Sequence, residues 1–291
     1  MNVKNNRSKA AFIAAMVIFG TIGIFRRYID LPSSVLALAR GIIGTLFLVL
    51  FVKATGKKPD RESVRANLKL LIISGGLIGF NWILLFESYN YTTVSVATLC
   101  YYMAPVFLIL ASPVVLKEKL TVNKLIAVFA AVVGMAFVSG VFRGGEMATD
   151  QKKGILLGLG AAVLYATVII MNKKMGEIDA YSKTIVQLGA SAVCLLPYVL
   201  VTEKASDMHF SPVGLLMVIA VGIIHTGLAY ALYFSSMKSL SAQHIAIFSY
   251  IDPVVAIILS AVILNEHIGL FEILGAVLIL GAAIYSEFTE G

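Results

Sequence analysis

The sequence predicts an all-α integral membrane protein with ten transmembrane helices, arranged as two inverted five-helix repeats. The first observation is composition, because the 291 residues are 59% hydrophobic and only 13% charged, whereas an ordinary soluble domain carries about 25% charged residues. The second is a mean hydropathy of +0.92, carried by apolar runs long enough to cross a bilayer. The third is a similarity between the two halves of the chain.

The apolar runs recur along the whole sequence and predict spans 1 to 10 in order. A helix needs about 20 residues to cross, within a range of about 17–25. The first run follows three cationic residues, as in a signal peptide, but no small-residue cleavage site follows it, so we expect it to remain as a span. The ten runs are 10–25, 33–52, 70–88, 94–116, 122–142, 154–172, 180–201, 212–234, 241–264 and 268–286.

The distribution of Lys and Arg predicts the orientation. Ten spans place both termini on one side, and that side carries 16 Lys and Arg residues against 6 on the other, with Arg40 inside a span. Cytoplasmic loops carry the excess of positive charge, so both termini are expected in the cytoplasm, in the cell inner (plasma) membrane. The net charge of +7 is explained by this orientation and does not indicate nucleic-acid binding.

Two stretches of the chain are similar in sequence. "MAPVFLILASPVVLKEKL" (103–120) and "IDPVVAIILSAVILNEHI" (251–268) align without a gap at an offset of 148, and seven of the fourteen positions from Pro105 to Glu118 are identical. Spans 1 and 2 match spans 6 and 7 more loosely, with "FGT" (19–21) on "YAT" (165–167) at offset 146. Because each repeat has an odd number of spans, the second copy enters the membrane inverted, which is an architecture of alternating-access transporters.

The repeat also predicts how the chain divides. The expected parts are a cytoplasmic tail (1–9), a first five-helix repeat (10–142), an external linker (143–153), a second repeat (154–286) and a cytoplasmic tail (287–291).

Two groups of five spans, a "P…LxE" pattern near the end of each half, and Arg40 in span 2 resemble the EamA-like branch of the drug/metabolite transporter superfamily. The resemblance covers about residues 10–286. It implies secondary transport, often export, of small metabolites such as amino acids, through a central cavity lined mainly by spans 1, 3, 4, 6, 8 and 9. The small multidrug relatives use a glutamate in span 1, which this sequence lacks, so their proton-coupling mechanism is not carried over.

Asp252 is the sharpest candidate for substrate binding or proton coupling. A charge near the bilayer centre costs roughly 2.5–3.5 kcal/mol on insertion scales, so such residues mostly face a cavity or a partner. Pro253 loosens the helix beside it, and Pro105 does the same in the first half, which makes both prolines expected hinges. The alternative is that Asp252 bonds freed backbone groups or a neighbouring hydroxyl. His225 is the second candidate for coupling, since histidine titrates near neutral pH. Its alternative is a structural hydrogen bond to a neighbouring helix.

Polar and aromatic residues of spans 3, 4 and 8 are further candidates for a substrate cavity. Their alternative is helix packing, with the aromatic residues forming a belt at the membrane surface. With Asp252 and His225 they complete the predicted substrate-binding set: Asn81, Trp82, Tyr101, Tyr102, Tyr230 and Tyr233.

Four charged residues have structural interpretations. Arg40 and Glu87 are expected to pair between spans 2 and 3, as a lock or a gate. Glu118 and Glu266 are expected to cap the first turns of spans 5 and 10, where a carboxylate complements free N–H groups and the positive helix terminus.

The sequence therefore predicts a secondary active transporter of a small zwitterionic or partly apolar metabolite, with export favoured, and not an enzyme. Its expected partners are the substrate, the lipid bilayer and protons as the coupling ion. No G-x-x-x-x-G-K-[ST] motif is present, so no ATP hydrolysis is expected. No histidines have metal-ligand spacing, so no metal is expected, and no cofactor, nucleic acid or ATPase partner is implied. The alternatives are a channel or structural subunit and, less favoured, a membrane enzyme acting on lipid-linked substrates.

Overall fold

The computed structural model is helical, with no strand among the residues that it describes, which are 2–56, 59–117, 120–138, 149–204, 206, 208–237, 240 and 248–289. A π-helical segment, Val221–Leu228, joins two of the α-helices. The α-helices are α1 (Asn2–Gly20), α2 (Ile22–Arg27), α3 (Ser33–Ala54), α4 (Arg61–Ala66), α5 (Leu68–Tyr91), α6 (Val94–Tyr101), α7 (Ala104–Val115), α8 (Val122–Val138), α9 (Thr149–Lys174), α10 (Ala180–Thr202), α11 (Pro212–Ala220), α12 (Ala229–Met237), α13 (Ile251–Ile263) and α14 (Leu270–Thr289).

Seven helical stretches of the described residues are long and apolar enough to cross a membrane: Asn6–Arg27, Ser33–Ala54, Leu68–Tyr91, Val94–Val115, Thr149–Lys174, Ala180–Thr202 and Pro212–Ser236. Three further apolar helices are shorter: Val122–Val138, Ile251–Ile263 and Leu270–Tyr285. Seven of the ten predicted spans thus coincide with helices of sufficient length. The count of ten and the inversion of the repeat stay predictions.

The outside of the bundle is apolar. Large hydrophobic side chains are exposed along most helices, and Val114 and Val201 expose 84% and 85% of their surface. A soluble monomer rarely presents contiguous apolar surface on this scale. The surface is the one expected of helices that face lipid.

Small residues let the helices approach closely. On α14, a Cβ atom added at Gly275 would lie 2.6 Å from the backbone oxygen of Gly134 in α8. Helix pairs in membranes use such glycines because packing takes the place of the hydrophobic effect there. The contact between α8 and α14 therefore depends on the absence of a side chain.

Each of the two expected hinge prolines lies in the first turn of a helix. Span 4 is interrupted, because α6 ends at Tyr101 and α7 begins at Ala104, just before Pro105. In the second half, Tyr250 lies in a turn and Pro253 falls in the first turn of α13. A proline suits this position because the first turn has no intrahelical partner for its N–H group. The prolines thus begin helical segments instead of kinking continuous ones.

A second backbone feature recurs at the same spacing. Lys117 and Asn265, which are 148 positions apart, are the non-glycine residues with positive φ in the described chain, at 59° and 52°. Such values are uncommon for residues other than glycine. Both residues follow the helix that contains the repeated proline, so the two helices end in turns of the same kind.

Replacing Gly275 by alanine tests the close packing of α8 and α14. We expect Gly275→Ala to lower the free energy of unfolding by about 1–3 kcal/mol, the usual cost of overpacking. Gly281 is the matched control, because it lies on the same helix with no atom within 4 Å of an added Cβ. Gly281→Ala should stabilise the protein by about 0.5–1 kcal/mol, since glycine is a poor helix residue. Thermal unfolding of both variants in detergent measures the difference, and equal effects would contradict the packing.

Candidate functional site

The two interrupted regions of the chain meet in one hydrogen bond. The Tyr102 hydroxyl, at the break between α6 and α7, donates to Asp252 Oδ2 at 2.9 Å. Asp252 lies in the first turn of α13, and its backbone carbonyl packs against Gly20 of α1. Both side chains are half-buried. Helix breaks near the middle of a membrane protein typically form binding sites, so this bond marks the candidate site.

Tyrosine rings from α6, α9 and α12 lie around this bond. The ring centroids of Tyr101 and Tyr165 lie 5.3 Å apart, and Tyr165 keeps 40% of its surface exposed. Tyr165 also lies near Tyr230, Tyr233 and Asp252. We call this group the aromatic site; its members are Tyr101, Tyr102, Tyr165, Tyr230, Tyr233 and Asp252. It combines one carboxylate with aromatic faces, which attract cations and pack against apolar groups.

Phenylalanines of α1 support one side of the aromatic site. Phe19 lies 5.5 Å from Tyr230 and 6.3 Å from Tyr233 between ring centroids, and Phe12 lies 5.2 Å from Tyr233. Phe19 and Tyr165 were absent from the predicted set, although the looser alignment at offset 146 pairs them directly. Two aromatic residues at equivalent positions of the two halves were the signal that could have identified them.

His225 lies apart from the exposed faces of the aromatic site. It is fully buried in the π-helical segment, with its ring 4.6 Å from that of Phe25. Its Nε2 is 2.8 Å from Thr21 Oγ1, whose single hydrogen is donated to Ile18 O at 2.7 Å. The Nε2 of His225 is therefore the donor. The predicted roles of His225 in substrate binding and coupling stay predictions, and in this conformation its ring serves helix packing.

Asn81 and Trp82 face other helices in this structure. The Asn81 Nδ2 donates to Ala161 O of α9 at 2.5 Å, and Ser88 Oγ donates to Gly154 O at 2.7 Å. Small residues on α9 let its backbone come within reach of these side chains. Asn81 and Ser88 thus lie on one face of α5, and that face holds α9 and does not line the aromatic site. The buried ring of Trp82 is covered by Arg40, whose guanidinium carbon is 4.2 Å from the ring centroid.

The expected pair between Arg40 and Glu87 is wrong. Arg40 Nε donates to Thr226 Oγ1 at 2.7 Å, whereas Glu87 Oε2 accepts from Ser33 Oγ at 2.8 Å and from Asn90 Nδ2 at 3.0 Å. The reason is depth, because seven residues of helix between Ser33 and Arg40 correspond to about 10 Å along α3. Glu87 lies level with Ser33, and Arg40 lies deeper in the bundle.

Glu266 caps a helix, but not the one that was expected, so that prediction is wrong. Its carboxylate accepts from the backbone N–H of Val94 with both oxygens, at 2.9 and 3.1 Å, and so caps α6 of the first half. Arg27 Nη2 donates to Oε1 at 2.9 Å, and Ser260 Oγ donates to Oε2. The left-handed turn at Asn265 precedes Glu266, and α14 begins four residues after it, at Leu270. The equivalent prediction for Glu118 lies outside the described residues.

Glu266 therefore joins three helices at one end of the bundle, which we call the Glu266 end. Its contact with Arg27 is an ion pair. The described residues contain no group of three His, Cys, Asp or Glu side chains that could hold a metal ion.

Comparison with known proteins agrees with this architecture. The profile of the EamA-like transporter family matches the chain over residues 8–140 and 152–286. The uncharacterized transporter YxxF of Bacillus subtilis (strain 168) is 32% identical over 267 residues, which cover 92% of this chain and 85% of that protein. An uncharacterized transporter of Archaeoglobus fulgidus is 25% identical over 280 residues, covering 95% and 94%. A crystal structure of a protein with 19% identity shares the fold, with a TM-score of 0.64 over 97% of this chain and 96% of that one.

Removing the charge of Glu266 tests its role as a cap between the halves. Glu266→Gln should lower the free energy of unfolding by about 0.5–2 kcal/mol, the usual contribution of a helix cap. Glu177→Gln, at an exposed position, controls for the loss of one negative charge and should be neutral. Thermal unfolding in detergent measures both.

The exchanged pair Arg27→Glu with Glu266→Arg separates the cap from the ion pair. We expect it to stay destabilised, because an arginine at 266 offers no acceptor to the Val94 N–H group. Full recovery would show that the ion pair matters and the cap does not.

Proposed function

The chain belongs to the EamA-like transporter family, and from this membership we propose that it moves a small zwitterionic or partly apolar metabolite by alternating access. Its membership and its membrane helices make it a membrane transporter of a small solute. Export is the proposed direction. The observation that carries the proposal is the hydrogen bond between Tyr102 and Asp252, which lies where two helix interruptions meet.

Several features support the ten-span inverted repeat. The family profile matches once in each half. Gly79 and Gly227 occupy equivalent positions, and each is a site of close packing against the other half: an added Cβ at Gly79 would lie 2.7 Å from Ser191 Oγ of α10, and one at Gly227 would lie 2.6 Å from Phe47 Cδ1 of α3. Span 3 of the first half thus packs on span 7 of the second half. In the equivalent contact, span 8 of the second half packs on span 2 of the first. This reciprocal packing is what two halves related by an axis in the membrane plane require.

The chemistry of the aromatic site supports the substrate class. A carboxylate at Asp252 complements a substrate ammonium group, and the surrounding tyrosine rings accept both cations and apolar side chains. Arg40, the buried cation of α3, interacts electrostatically with Asp252 without pairing with it among the described residues. A zwitterion fits between charges of opposite sign. Asp252 is also the proposed proton-coupling group, since a carboxylate can hold a proton or an ammonium ion but not both at once.

The contacts of Glu266 support a closed state of one gate. With both termini in the cytoplasm, as the Lys and Arg distribution predicts, the Glu266 end faces outside. Its carboxylate ties the start of α6 to the end of α2 and to α13. Opening to the outside would break these contacts and replace them by water. In alternating access, the contacts of Glu266 would form and close the outer side while the cytoplasmic side opens.

Transport by reconstituted protein tests the proposal. Liposomes containing the purified protein are loaded with a mixture of amino acids and other common metabolites, and efflux is followed by mass spectrometry with and without a pH gradient. The expected result is selective, saturable loss of a zwitterionic solute, accelerated by the same solute outside. Loss without saturation or counterflow would indicate a channel.

Asp252→Asn should reduce this efflux about 10- to 100-fold, because a hydrogen bond to a charged group contributes about 1.5–3 kcal/mol. Tyr102→Phe removes one donor to Asp252 and keeps the ring, so its loss should be about fivefold. Glu177→Gln is the control for charge and expression, and it should transport normally. Full efflux by Asp252→Asn would exclude Asp252 as the substrate or coupling group.

A further inference from the structure

Arg40 of α3 is a buried cation whose hydrogen bonds are incomplete. Only 5% of its surface is exposed. A guanidinium carries N–H donors on all of its nitrogens, and the Nε–H group of Arg40 is donated to Thr226 Oγ1 at 2.7 Å. Among the described residues, no acceptor meets Nη1 or Nη2, and no carboxylate forms an ion pair with Arg40. An ionisable side chain inside a membrane bundle is expected to serve a function, so these donors call for a partner.

Aromatic rings hold the guanidinium of Arg40 without satisfying its donors. The guanidinium carbon lies 4.2 Å from the centroid of the Trp82 ring and 5.7 Å from that of Phe86. Ring faces stabilise a cation electrostatically, but they do not replace the acceptors that the in-plane N–H groups of a guanidinium require. The bond to Thr226 and the two rings therefore fix the orientation of Arg40, while its Nη1 and Nη2 groups stay available.

Arg40 lies beside the aromatic site. It is near Tyr101, Tyr230 and Asp252, which belong to α6, α12 and α13. Asp252 accepts a hydrogen bond from Tyr102 and does not pair with Arg40 in the described part of the chain. A cation and an acid thus approach each other at this site without forming an ion pair, which leaves both able to bind a solute.

The geometry and the charges of the site favour a carboxylate as the partner of Arg40. The fork of an arginine matches a carboxylate, which can accept two parallel N–H···O bonds from it. Arg40 and Asp252 carry opposite charges, so a solute with one carboxylate and one ammonium group leaves the site neutral. A phosphate monoester with two negative charges would leave an uncompensated charge in a low-dielectric region, which costs free energy.

We propose that the Nη1 and Nη2 groups of Arg40 bind the carboxylate of a transported amino acid. This inference rests on the proposed function and deepens it, because it makes one residue responsible for requiring a carboxylate in the substrate. Trp82, Phe86 and Thr226 are then positioning residues, since they hold the guanidinium and do not contact the substrate carboxylate themselves.

The fluorescence of Trp82 tests the proposal without any variant. Trp82 is the only tryptophan of the sequence, and the Arg40 guanidinium lies over its ring, so a carboxylate on Arg40 should change its emission. The full-length protein in detergent is titrated with each common amino acid except tryptophan. The corresponding carboxamides are titrated in parallel, because they keep the ammonium group and lose the carboxylate.

At least one amino acid should change the emission of Trp82 saturably. Its affinity should exceed that of its amide about 10- to 100-fold, the range expected for hydrogen bonds to a charged group. No response to any amino acid, or equal affinities for the acid and its amide, would overturn the proposal.

Variants assign the preference for the acid to Arg40. Arg40→Gln should reduce the affinity for the acid about 10- to 100-fold and leave the affinity for the amide unchanged. Arg40→Lys keeps the charge but loses the fork, so its affinity for the acid should lie between those of Arg40→Gln and the wild type. Arg61→Gln, at an exposed position on α4, is the matched control and should bind as the wild type does. A retained preference for the acid in Arg40→Gln would place the carboxylate elsewhere.

Thr226→Val provides a variant that keeps Arg40, in case Arg40→Gln does not fold. It removes the acceptor of the Nε–H group, so the guanidinium loses part of its orientation. The affinity for the acid should fall about fivefold and that for the amide should stay the same. Equal weakening of the acid and the amide would indicate a purely structural role and overturn the proposal.

Efflux distinguishes a failure of this proposal from a failure of the proposed function. Liposomes are loaded with equal amounts of the amino acid that binds best and of its amide, and protein-free liposomes correct for passive loss. The wild-type protein should release the acid about 10- to 100-fold faster, and Arg40→Gln should release both at similar rates. Asp252→Asn should slow both, because both carry an ammonium group.

Equal release of the acid and the amide by the wild-type protein would overturn the role of Arg40 and leave the transport function standing. No carrier-mediated release of either solute, together with preferential binding of the acid in the Trp82 titration, would contradict the proposed function and support the carboxylate site.

Discussion

Polar side chains inside a bilayer have no water to bond with, so another helix must supply their partners. In this protein, that requirement decides which helix faces meet. Asn81 bonds the backbone of α9, and Gln187 of α10 bonds Ser74 of α5 at 2.8 Å and Asn172 of α9 at 2.9 Å. Arg40 bonds the π-helical segment. These contacts hold α5 between α9 and α10. The aromatic site is formed by polar side chains that do not make hydrogen bonds of this kind between these helices.

The contact of Glu266 with Val94 differs from these interior bonds because of where it lies. Arg27, its cationic partner, keeps about a third of its side chain exposed, so water can replace the contact when it breaks. Ion pairs in such positions contribute at most about 1 kcal/mol. A bond deep in the bundle would leave an unsatisfied group behind if it broke, at a cost of about 1–3 kcal/mol. A contact between the halves that must form and break during transport therefore costs less free energy at the water-accessible end of the bundle than in its interior.

The sequence was informative wherever one helix alone carries the signal. Bilayer thickness sets helix length, so hydropathy located seven spans that the structure bears out as helices of sufficient length. The repeat pointed to Pro105, Pro253 and the residues beside them, and Tyr102 and Asp252 do meet. Partners between helices were not predictable, because one sequence shows the faces of a helix but not which faces meet. Asn81 was a cavity candidate with helix packing as its alternative, and the structure shows it bonded to α9. Arg40 was placed too near Glu87. Glu266 was assigned to its own helix because the left-handed turn at Asn265 has no clear sequence signal.

The aromatic site also shows where the two halves must differ. At the position of Asp252 the first half has Ala104, although Tyr102 matches Tyr250 and Pro105 matches Pro253. Two carboxylates facing each other in one low-dielectric site would repel, and one of them would be held neutral. Ala104 avoids that conflict and leaves a single negative charge among neutral rings. In the proposed cycle, the shared tyrosine and proline positions let the halves exchange conformations, and the single acid lets the site hold one ammonium group or one proton in either state.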